Sequence, residues 1–195
     1  MGKDLEWQIV SLEVDKYSEE LGDFFEVEWP FPISRKKISD GLNSREEIRD
    51  SIRKLIGDEN KKLLTIYGSG DFHHYTYGLC GLAYENHYQQ NKLALGYIHI
   101  DNHEDFGRFT NDLLGCGSFV KAIKEDYAET AWISGSITKY YFDSIKKKII
   151  RLPHKMYMSI DLDVTHSNVL PTNYDRGRLD LNKLSKIIQM IKLNK

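Results

Sequence analysis

The sequence has few cysteines and prolines, little excess charge and no long apolar segment. Two cysteines in 195 residues, Cys80 and Cys116, are too few for a disulfide framework and indicate reduced thiols in the cytoplasm. No apolar run approaches the roughly 18 residues of a membrane span, and the amino terminus lacks a secretory hydrophobic segment. The formal net charge of −2 argues against a nucleic-acid binder that relies on phosphate neutralisation. These absences favour a cytoplasmic globular protein that binds neither membrane nor nucleic acid.

The order of the hydrophobic patterns favours an α/β fold. Hydrophobic residues at 41% and charged residues at 29% are ordinary for a globular chain, and 195 residues suit one domain. Segments with strand patterns alternate with segments of helical spacing, which is typical of a three-layer α/β/α domain with a mostly parallel sheet. The predicted strands are 7–14, 63–67, 93–100, 131–133, 148–152 and 156–160, and the predicted helices are 45–56 (after a Ser44–Glu47 capping box), 77–90, 119–123 and 184–191.

Three polar clusters each follow a predicted strand. Because side chains alternate along an extended chain, the acidic residues of the second and third clusters would emerge on one side. The carboxyl ends of parallel strands meet at one edge of the sheet, where α/β proteins carry their functional sites. The clusters are Asp71 to His74, Asp101-Asn-His103-Glu-Asp105 and Asp161-Leu-Asp163.

The residue types in these clusters predict a metal centre. Carboxylates and imidazoles are costly to bury unless a positive charge lies among them. Carboxylate oxygens with one or two imidazoles favour Mn²⁺, Mg²⁺ or Fe²⁺ over a thiolate-rich zinc site. Five or six ligands exceed what one structural ion usually takes, and shared carboxylates could bridge two ions about 3.5–4 Å apart. Such a pair activates water, so the predicted reaction class is hydrolysis.

The same motifs resemble those of the ureohydrolase superfamily of arginase and agmatinase. The resemblance rests on D-x-H-x-D at Asp101–Asp105, on S-x-D-x-D at Ser159–Asp163, and on Gly68-Ser-Gly-Asp-Phe-His-His74, which is similar to the family's G-G-D-H motif. It extends from about Leu63 to the carboxyl terminus. The form G-S-G-D-F-H-H, with C-G-S-F and D-L-D-V, is similar to a divergent branch that includes the peptide arginases. These enzymes convert arginine to ornithine within precursor peptides.

The resemblance implies an arginase-like fold, two Mn²⁺ ions and hydrolysis of a guanidinium group to an amine and urea. It implies that Asp101 and Asp161 bridge the two ions, and that Asp105 orients the attacking water. The histidine motif is longer than the usual form, so both of its histidines stay candidates. The implied ligands are Asp105 with His73 or His74 at one ion, His103 with Asp163 at the other, and the bridging Asp101 and Asp161.

Three departures from the family pattern bear on activity. The family's proton-shuttle histidine has no counterpart, and either Leu114 or Cys116 falls at its place. The thiol of Cys116 is therefore a candidate proton carrier. The family's guanidinium-binding glutamate follows a later strand, which we do not expect before Lys195, so the last strands of the fold are expected to be missing. The loops that hold a free amino acid in arginase are not recognisable.

Several alternatives stay open at this point. The substrate is a guanidino compound, either a small molecule such as arginine or agmatine or an arginine-containing peptide. A catalytically impaired metal-binding or peptide-recognition protein of the same fold would carry the same motifs. A metallophosphoesterase is suggested by Gly70-Asp71 and Asn102-His103-Glu104, but these motifs come in the wrong order. We interpret His99 as a core or supporting histidine rather than a ligand. The sequence leaves a homo-oligomer open.

Overall fold

The computed structural model describes residues 7–28, 32–57, 62–91, 95–108, 112–134, 141–153, 155–166 and 177–193. Within these ranges strands alternate with helices, and 3₁₀ helices occupy Gly70–Tyr75 and Leu162–Val164. The strands are β1 (Trp7–Glu13), β2 (Ile33–Lys37), β3 (Lys62–Tyr67), β4 (Leu95–Asp101), β5 (Ala128–Ser134) and β6 (Lys155–Ile160). The helices are α1 (Lys16–Glu28), α2 (Arg45–Ile56), α3 (Thr76–Asn91), α4 (Phe119–Asp126), α5 (Tyr141–Arg151) and α6 (Leu181–Leu193).

The described strands form two parallel three-stranded sheets, with the orders β2-β1-β3 and β5-β4-β6. The chain divides into two compact units that each contain one of these sheets. The first unit comprises the described residues up to Leu82 together with 112–116, and the second comprises those of 83–108 and those from Gly117 onward. The α/β class with parallel strands is therefore confirmed, while the expectation of one arginase-like domain stays a prediction.

The first unit is built around β1, the central strand of its sheet. Helix α2 begins with the predicted capping box, in which the Ser44 hydroxyl accepts from the Glu47 amide and the Glu47 carboxylate accepts from the Ser44 amide. The helix buries Ile48 and Ile52 completely. Gly78 of α3 packs against them so closely that a Cβ there would lie 2.9 Å from Ile52 Cγ1. The absence of a side chain at Gly78 thus permits this helix contact.

The second unit is built around β4, whose seven residues are all buried. A strand that is buried throughout is typical of the centre of a parallel sheet covered on both faces. Helices α5 and α6 contribute to the same apolar core, so this unit is held together by a contiguous cluster. Its buried members are Ile98, Ile100, Ala131, Ile133, Ile149, Leu152, Val164, Leu179, Leu184, Ile187 and Ile191.

One predicted strand is wrong: of residues 148–152, the first four form the end of helix α5, and Leu152 directly follows the helix. The β-branched pair Ile149-Ile150 favoured a strand in the sequence. In the structure Ile149 is fully buried and Ile150 is 58% exposed, while Leu152, three residues after Ile149, returns to the core. This spacing is helical, and exposed Lys146, Lys147 and Lys148 occupy the solvent side.

Helix α1 and strand β2 are among the elements that were not predicted from the sequence, and one predicted segment lies mainly outside the described residues. Helix α1 and strand β2 carry weak patterns, since α1 exposes several apolar side chains and β2 is a short strand of mixed polarity. The sequence also predicts an irregular stretch at Trp29-Pro-Phe-Pro32, because two prolines argue against regular structure, but residues 29–31 lie outside the described residues. Among the helices that the structure describes, none is both long enough and apolar enough to cross a membrane.

Candidate metal centre

Strands β4 and β6 end side by side and bring two of the acidic motifs together. They pair in parallel, with Ile100 opposite Ile160. The amide of Asp161 then donates to the carbonyl of Ile100 over 2.9 Å, so Asp101 and Asp161 leave their strands in register. Asp101 is only 1% exposed. The register of the sheet therefore explains why motifs sixty residues apart in the sequence (Asp101 and Asp161) meet.

Each motif then makes the same turn, which explains the spacing of its residues. The Asp101 Oδ1 atom accepts from the amide of His103 over 2.7 Å. The Asp161 Oδ1 atom accepts in the same way from the amide of Asp163 over 2.9 Å. An aspartate that accepts from the amide two residues later is a common turn-forming arrangement. It turns the chain at the strand end, so residue three of each motif lies beside residue one.

These turns place the side chains of three motif residues against one another. The His103 Nδ1 atom lies 2.8 Å from Asp163 Oδ2 and 3.6 Å from Asp101 Oδ1. One donor atom from each of the three side chains lies within 4.8 Å of the others. Two carboxylate oxygens and an imidazole nitrogen form a donor set suited to Mn²⁺, Fe²⁺ or a similar divalent ion. The predicted ligands Asp101, His103 and Asp163 are thus adjacent in the second unit.

The electrostatics of this group favour a bound cation. Burial, together with the charges of Asp161 and Asp101, raises the pKa of Asp163 to about 7. The amide of Asn102, which donates to Asp163 Oδ1 over 3.2 Å, and the nearby His103 offset only part of this effect. A divalent cation would favour the ionised carboxylates, because it replaces mutual repulsion by attraction. The donor set therefore fits a divalent metal both in chemistry and in charge.

Asp105 is held in an unusual backbone conformation at the same edge. Its φ of 48° lies in the left-handed region, which an aspartate tolerates better than most residues. Its carbonyl accepts from the amide of Val120 in the first turn of α4 over 3.2 Å. The Asp105 side chain is 10% exposed, and its Oδ2 atom lies 3.5 Å from Nε2 of buried His99. Asp105 thus faces the interior of the unit, as a ligand or a water-orienting group would.

Gly177 supports the Asp163 turn and carries no motif signal in the sequence. Its amide donates to the carbonyl of Asp163 over 2.8 Å. A Cβ at this position would overlap the carbonyl oxygen of Val164, so a residue with a side chain requires the backbone to move. Thr165 and Leu179 continue this pairing as an isolated parallel bridge. The close approach of Gly177 to the backbone of Val164 leaves no motif in the sequence and is recognised only in the structure.

The histidine motif lies in the first unit, on the 3₁₀ helix after β3. Both histidines are 4% exposed. His74 Nδ1 lies 3.2 Å from the carbonyl oxygen of Asp71, and Nε2 lies 3.0 Å from that of Leu42. Burial lowers the pKa of His74 and favours the neutral ring. Because both His74 nitrogens face backbone carbonyls, this geometry favours His73 over His74 as the candidate ligand.

The two candidates for the shuttle position also lie in the first unit. Leu114 is buried, and its amide donates to the carbonyl of Asn43 over 2.6 Å. Cys116 is half-buried, and its sulfur takes no part in a disulfide. The roles expected for Cys116, His73 and His74 stay predictions. In the second unit, Asp101, His103 and Asp163 come together, Asp161 contacts Asp163 through its turn, and Asp105 reaches His99.

Comparison with known proteins gives the fold but not a family assignment. No family model matches the chain. The sequence is similar to an uncharacterized protein of Thermotoga maritima, with 28% identity over 141 residues, which cover 68% of this chain and 54% of that protein. The chain therefore spans about half the length of this curated relative.

A solved structure with a similar fold is the crystal structure of a hypothetical agmatinase from Burkholderia thailandensis. It matches with a TM-score of 0.61 and 14% sequence identity, over 96% of this chain and 74% of that one. At this level of identity the likeness establishes the fold. The chain therefore has an agmatinase-like α/β fold, and its second unit groups histidine and aspartate donors able to hold a metal ion.

Proposed function

We propose that the protein is a metal-dependent hydrolase of guanidinium groups, which converts an arginine-like substrate to the amine and urea. The observation that carries this proposal is the convergence of Asp101, His103 and Asp163 at the paired ends of β4 and β6. The fold shared with an agmatinase supports the reaction class. The ion proposed is Mn²⁺, two per chain, because the donors are mainly carboxylate oxygens with imidazole nitrogens.

The residues of the second unit would divide between the two ions. Asp101 and Asp161 are proposed to bridge them, His103 and Asp163 to complete one, and Asp105 to belong to the other. When bound, the ions would supply Lewis acidity and lower the pKa of water at the site. The histidine that the resemblance assigns to the second ion, His73 or His74, stays a prediction.

The carboxylates would also serve substrate recognition. A guanidinium group is planar, permanently charged and able to donate several hydrogen bonds, so it is complementary to an acidic edge of this kind. Asp105, which lies at 10% exposure with its Oδ2 directed at His99, is proposed to orient the reacting water by accepting a hydrogen bond. A positioned carboxylate of this kind contributes typically about 10²–10⁴-fold to a rate.

The test is urea release by protein loaded with Mn²⁺, measured with arginine, agmatine and an arginine-containing peptide. We expect urea from at least one of the three, and the preferred compound identifies the substrate class. Asp105→Asn should lower the rate by about 10²-fold or more while urea stays the product. The matched control is Glu104→Gln in the same loop, because the side chain of Glu104 is exposed and should be dispensable.

Bound manganese without urea from any of these compounds would contradict the hydrolase proposal. It would favour the alternative, a metal-binding or peptide-recognition protein of the same fold. The expected action on arginine within a peptide, a cytoplasmic location and a homo-oligomeric state stay predictions. The exchange of Cys116 for serine would test its suggested part in proton transfer in the same assay.

A further inference from the structure

Trp132 lies on β5, the strand next to β4, and its side chain reaches the first acidic motif. In the parallel register of the two strands it lies opposite His99, so it shares the face of the sheet that carries Asp101. Its indole Nε1 donates to the backbone carbonyl of Asp101 over 3.2 Å. On the other face of β5, the adjacent Ala131 and Ile133 are buried in the apolar core of the unit. The strand therefore holds the indole at a fixed place beside the motif.

The carbonyl that Trp132 contacts belongs to a peptide unit that is hydrogen bonded at both ends. This unit joins Asp101 to Asn102, and the Asn102 amide donates to Asp163 Oδ1 over 3.2 Å. A trans peptide unit is planar, and its C=O and N–H point in opposite directions. A donor that fixes the direction of the carbonyl therefore also fixes the direction of the N–H. Trp132 and Asp163 are thus joined through one rigid peptide unit.

The Asn102 amide bears on the direction in which the Asp163 carboxylate faces. With Oδ1 held by this amide, Oδ2 is turned toward the first motif and lies 2.8 Å from His103 Nδ1. Asp163 also supplies one of the three donor atoms, together with Asp101 and His103, that lie within 4.8 Å of one another. A ligating carboxylate that is itself hydrogen bonded keeps a defined orientation toward its ion. The amide therefore prepares Asp163 to bind a metal.

An indole N–H suits this task because it donates a hydrogen bond and accepts none. The side chain of Trp132 therefore supplies no atom that competes with the carboxylates for an ion. A hydrogen bond at the carbonyl also polarises the peptide unit, which makes its N–H a better donor to Asp163. Partners that hold metal ligands in this indirect way are worth about 10–100-fold in metal affinity.

We propose that Trp132 is a positioning residue for the metal centre, which holds the Asp163 carboxylate in its ion-binding orientation through the Asp101–Asn102 peptide. This inference rests on the proposed function for the presence of a bound ion. The main chain of Asp163 is fixed separately, because its amide donates to Asp161 Oδ1 over 2.9 Å. Loss of the indole N–H should therefore release the carboxylate while the turn stays in place.

The test removes the indole N–H and measures both the affinity for Mn²⁺ and the Asn102 amide. Trp132→Phe lacks the donor, and 3-benzothienylalanine introduced at position 132 keeps the shape of the ring but has sulfur in place of N–H. We expect each change to weaken Mn²⁺ binding, measured by EPR of the free ion, by about 10-fold. In NMR spectra of the metal-free protein, the Asn102 amide proton should move upfield as its bond to Asp163 weakens. Thr130→Val, two residues earlier on the same face of β5, should change neither quantity.

The outcomes separate this inference from the proposed function. Unchanged Mn²⁺ affinity or an unchanged Asn102 resonance with benzothienylalanine would overturn the role of Trp132 and leave the metal centre standing. An equal loss of affinity in Thr130→Val would also overturn it, because any change on β5 would then have the same effect. Failure of the wild-type protein to bind Mn²⁺ would overturn the metal centre and this role together. Because urea release is not measured, failure of the hydrolase reaction alone leaves the role of Trp132 in place.

Discussion

Asp15 in the first unit and Asp163 in the second are carboxylates in similar places with opposite properties. Asp15 follows β1 and Asp163 follows β6, so each lies beyond the carboxyl end of a parallel strand. Asp15 Oδ1 accepts from the amide and the hydroxyl of Ser18, both over 2.8 Å, and Oδ2 accepts from the Ser69 hydroxyl over 3.2 Å. Burial opposes ionisation, but these hydrogen bonds outweigh it and lower the pKa of Asp15.

At Asp163 the balance is reversed. Burial and the charges of Asp161 and Asp101 raise the pKa of the Asp163 carboxyl to about 7. The difference shows that position at a strand end does not decide the role of a carboxylate. Asp15 has its donors within its own unit and caps helix α1, whereas Asp163 lies among other acids and lacks enough positive partners to offset them. The first arrangement stabilises the fold, and the second is suited to a cation.

The largest expected effect is the loss of metal when a bridging carboxylate is removed. Asp101→Ala and Asp161→Ala should each lose both ions, because each carboxylate would contact both. The loss of Lewis acidity worth several kcal/mol corresponds to a fall in urea release of about 10³-fold or more. Metal content after equilibrium dialysis against Mn²⁺ provides the measurement, and Asp15→Ala serves as the control that keeps its ions. Near-stoichiometric retention of two ions in either variant would count against bridging.

A backbone contact below the site should have the next largest effect. Gly177→Ala places a Cβ against the Val164 carbonyl, so we expect a loss of about 3 kcal/mol in the free energy of unfolding, with weaker metal binding. Gly115→Ala is the control, because a Cβ there would meet nothing within 4 Å, and it should change stability by less than about 0.5 kcal/mol. Denaturant unfolding measures the free energy of unfolding of Gly177→Ala and of Gly115→Ala. Equal stability of the two variants would exclude the close approach at Gly177.

The raised pKa of Asp163 predicts a pH dependence for the metal-free protein. The folded carboxyl, with a pKa of about 7 against an ordinary value of 3.8, holds its proton where the unfolded one has lost it. The free energy of unfolding should therefore fall as the pH rises from about 4 to 7, by about 2–4 kcal/mol. Asp163→Asn should remove this fall and make the metal-free protein more stable at pH 8 than the wild type.

Denaturant unfolding in a chelator at pH 5 and pH 8 measures this effect. Addition of Mn²⁺ at pH 8 should stabilise the wild type more than Asp163→Asn, which lacks a ligand of one of the two proposed ions. The same change in the free energy of unfolding between pH 5 and pH 8 in the wild type and in Asp163→Asn would contradict an unfavourable charge at Asp163. A substitution that stabilises the fold and weakens metal binding is expected only where function, rather than folding, requires the charge.

The smallest expected effect is the contribution of Asp15 to stability. Its dependence on pH is opposite in sign to that of Asp163. The pKa of Asp15 is lowered in the folded state, so its contribution to stability is present at neutral pH and is lost as the pH falls through that folded value. Asp15→Ala should cost about 1 kcal/mol at pH 7 through loss of the helix cap. Thermal unfolding at pH 7 and at acidic pH should show that the stabilities of the wild type and Asp15→Ala become equal at acidic pH. A constant difference would indicate that the charge of Asp15 is not involved.

Much of the fold could be predicted from local patterns, and the errors have physical causes. The capping box at Ser44–Glu47 and the buried run that became β4 are strong signals, and both are confirmed. Residues 148–152 were misread because Ile149-Ile150 has high β-propensity, while the helical spacing of Ile149 and Leu152 becomes clear only beside the core. The division of the strands into two sheets has no local signal in the sequence.

The candidate site was predictable where spacing determines geometry. D-x-H and D-x-D each fold into a turn in which the aspartate accepts from the amide two residues later. These short motifs were therefore enough to predict that their first and third residues lie together. The pairing of β4 with β6, which joins the two motifs, depends on strand order and could only be assumed. His99 was interpreted as a core or supporting histidine, and its approach to Asp105 depends on a loop whose course the sequence does not reveal. Gly177 acts through a close backbone contact that leaves no pattern.

The central claim is that the paired ends of β4 and β6 form a two-ion centre. Its most direct test is the number of Mn²⁺ ions bound per chain, counted by elemental analysis after equilibrium dialysis of the wild-type protein and of Asp101→Ala. We predict two ions in the wild type and none in the variant. One ion or none in the wild type, or two ions in the variant, would contradict the claim.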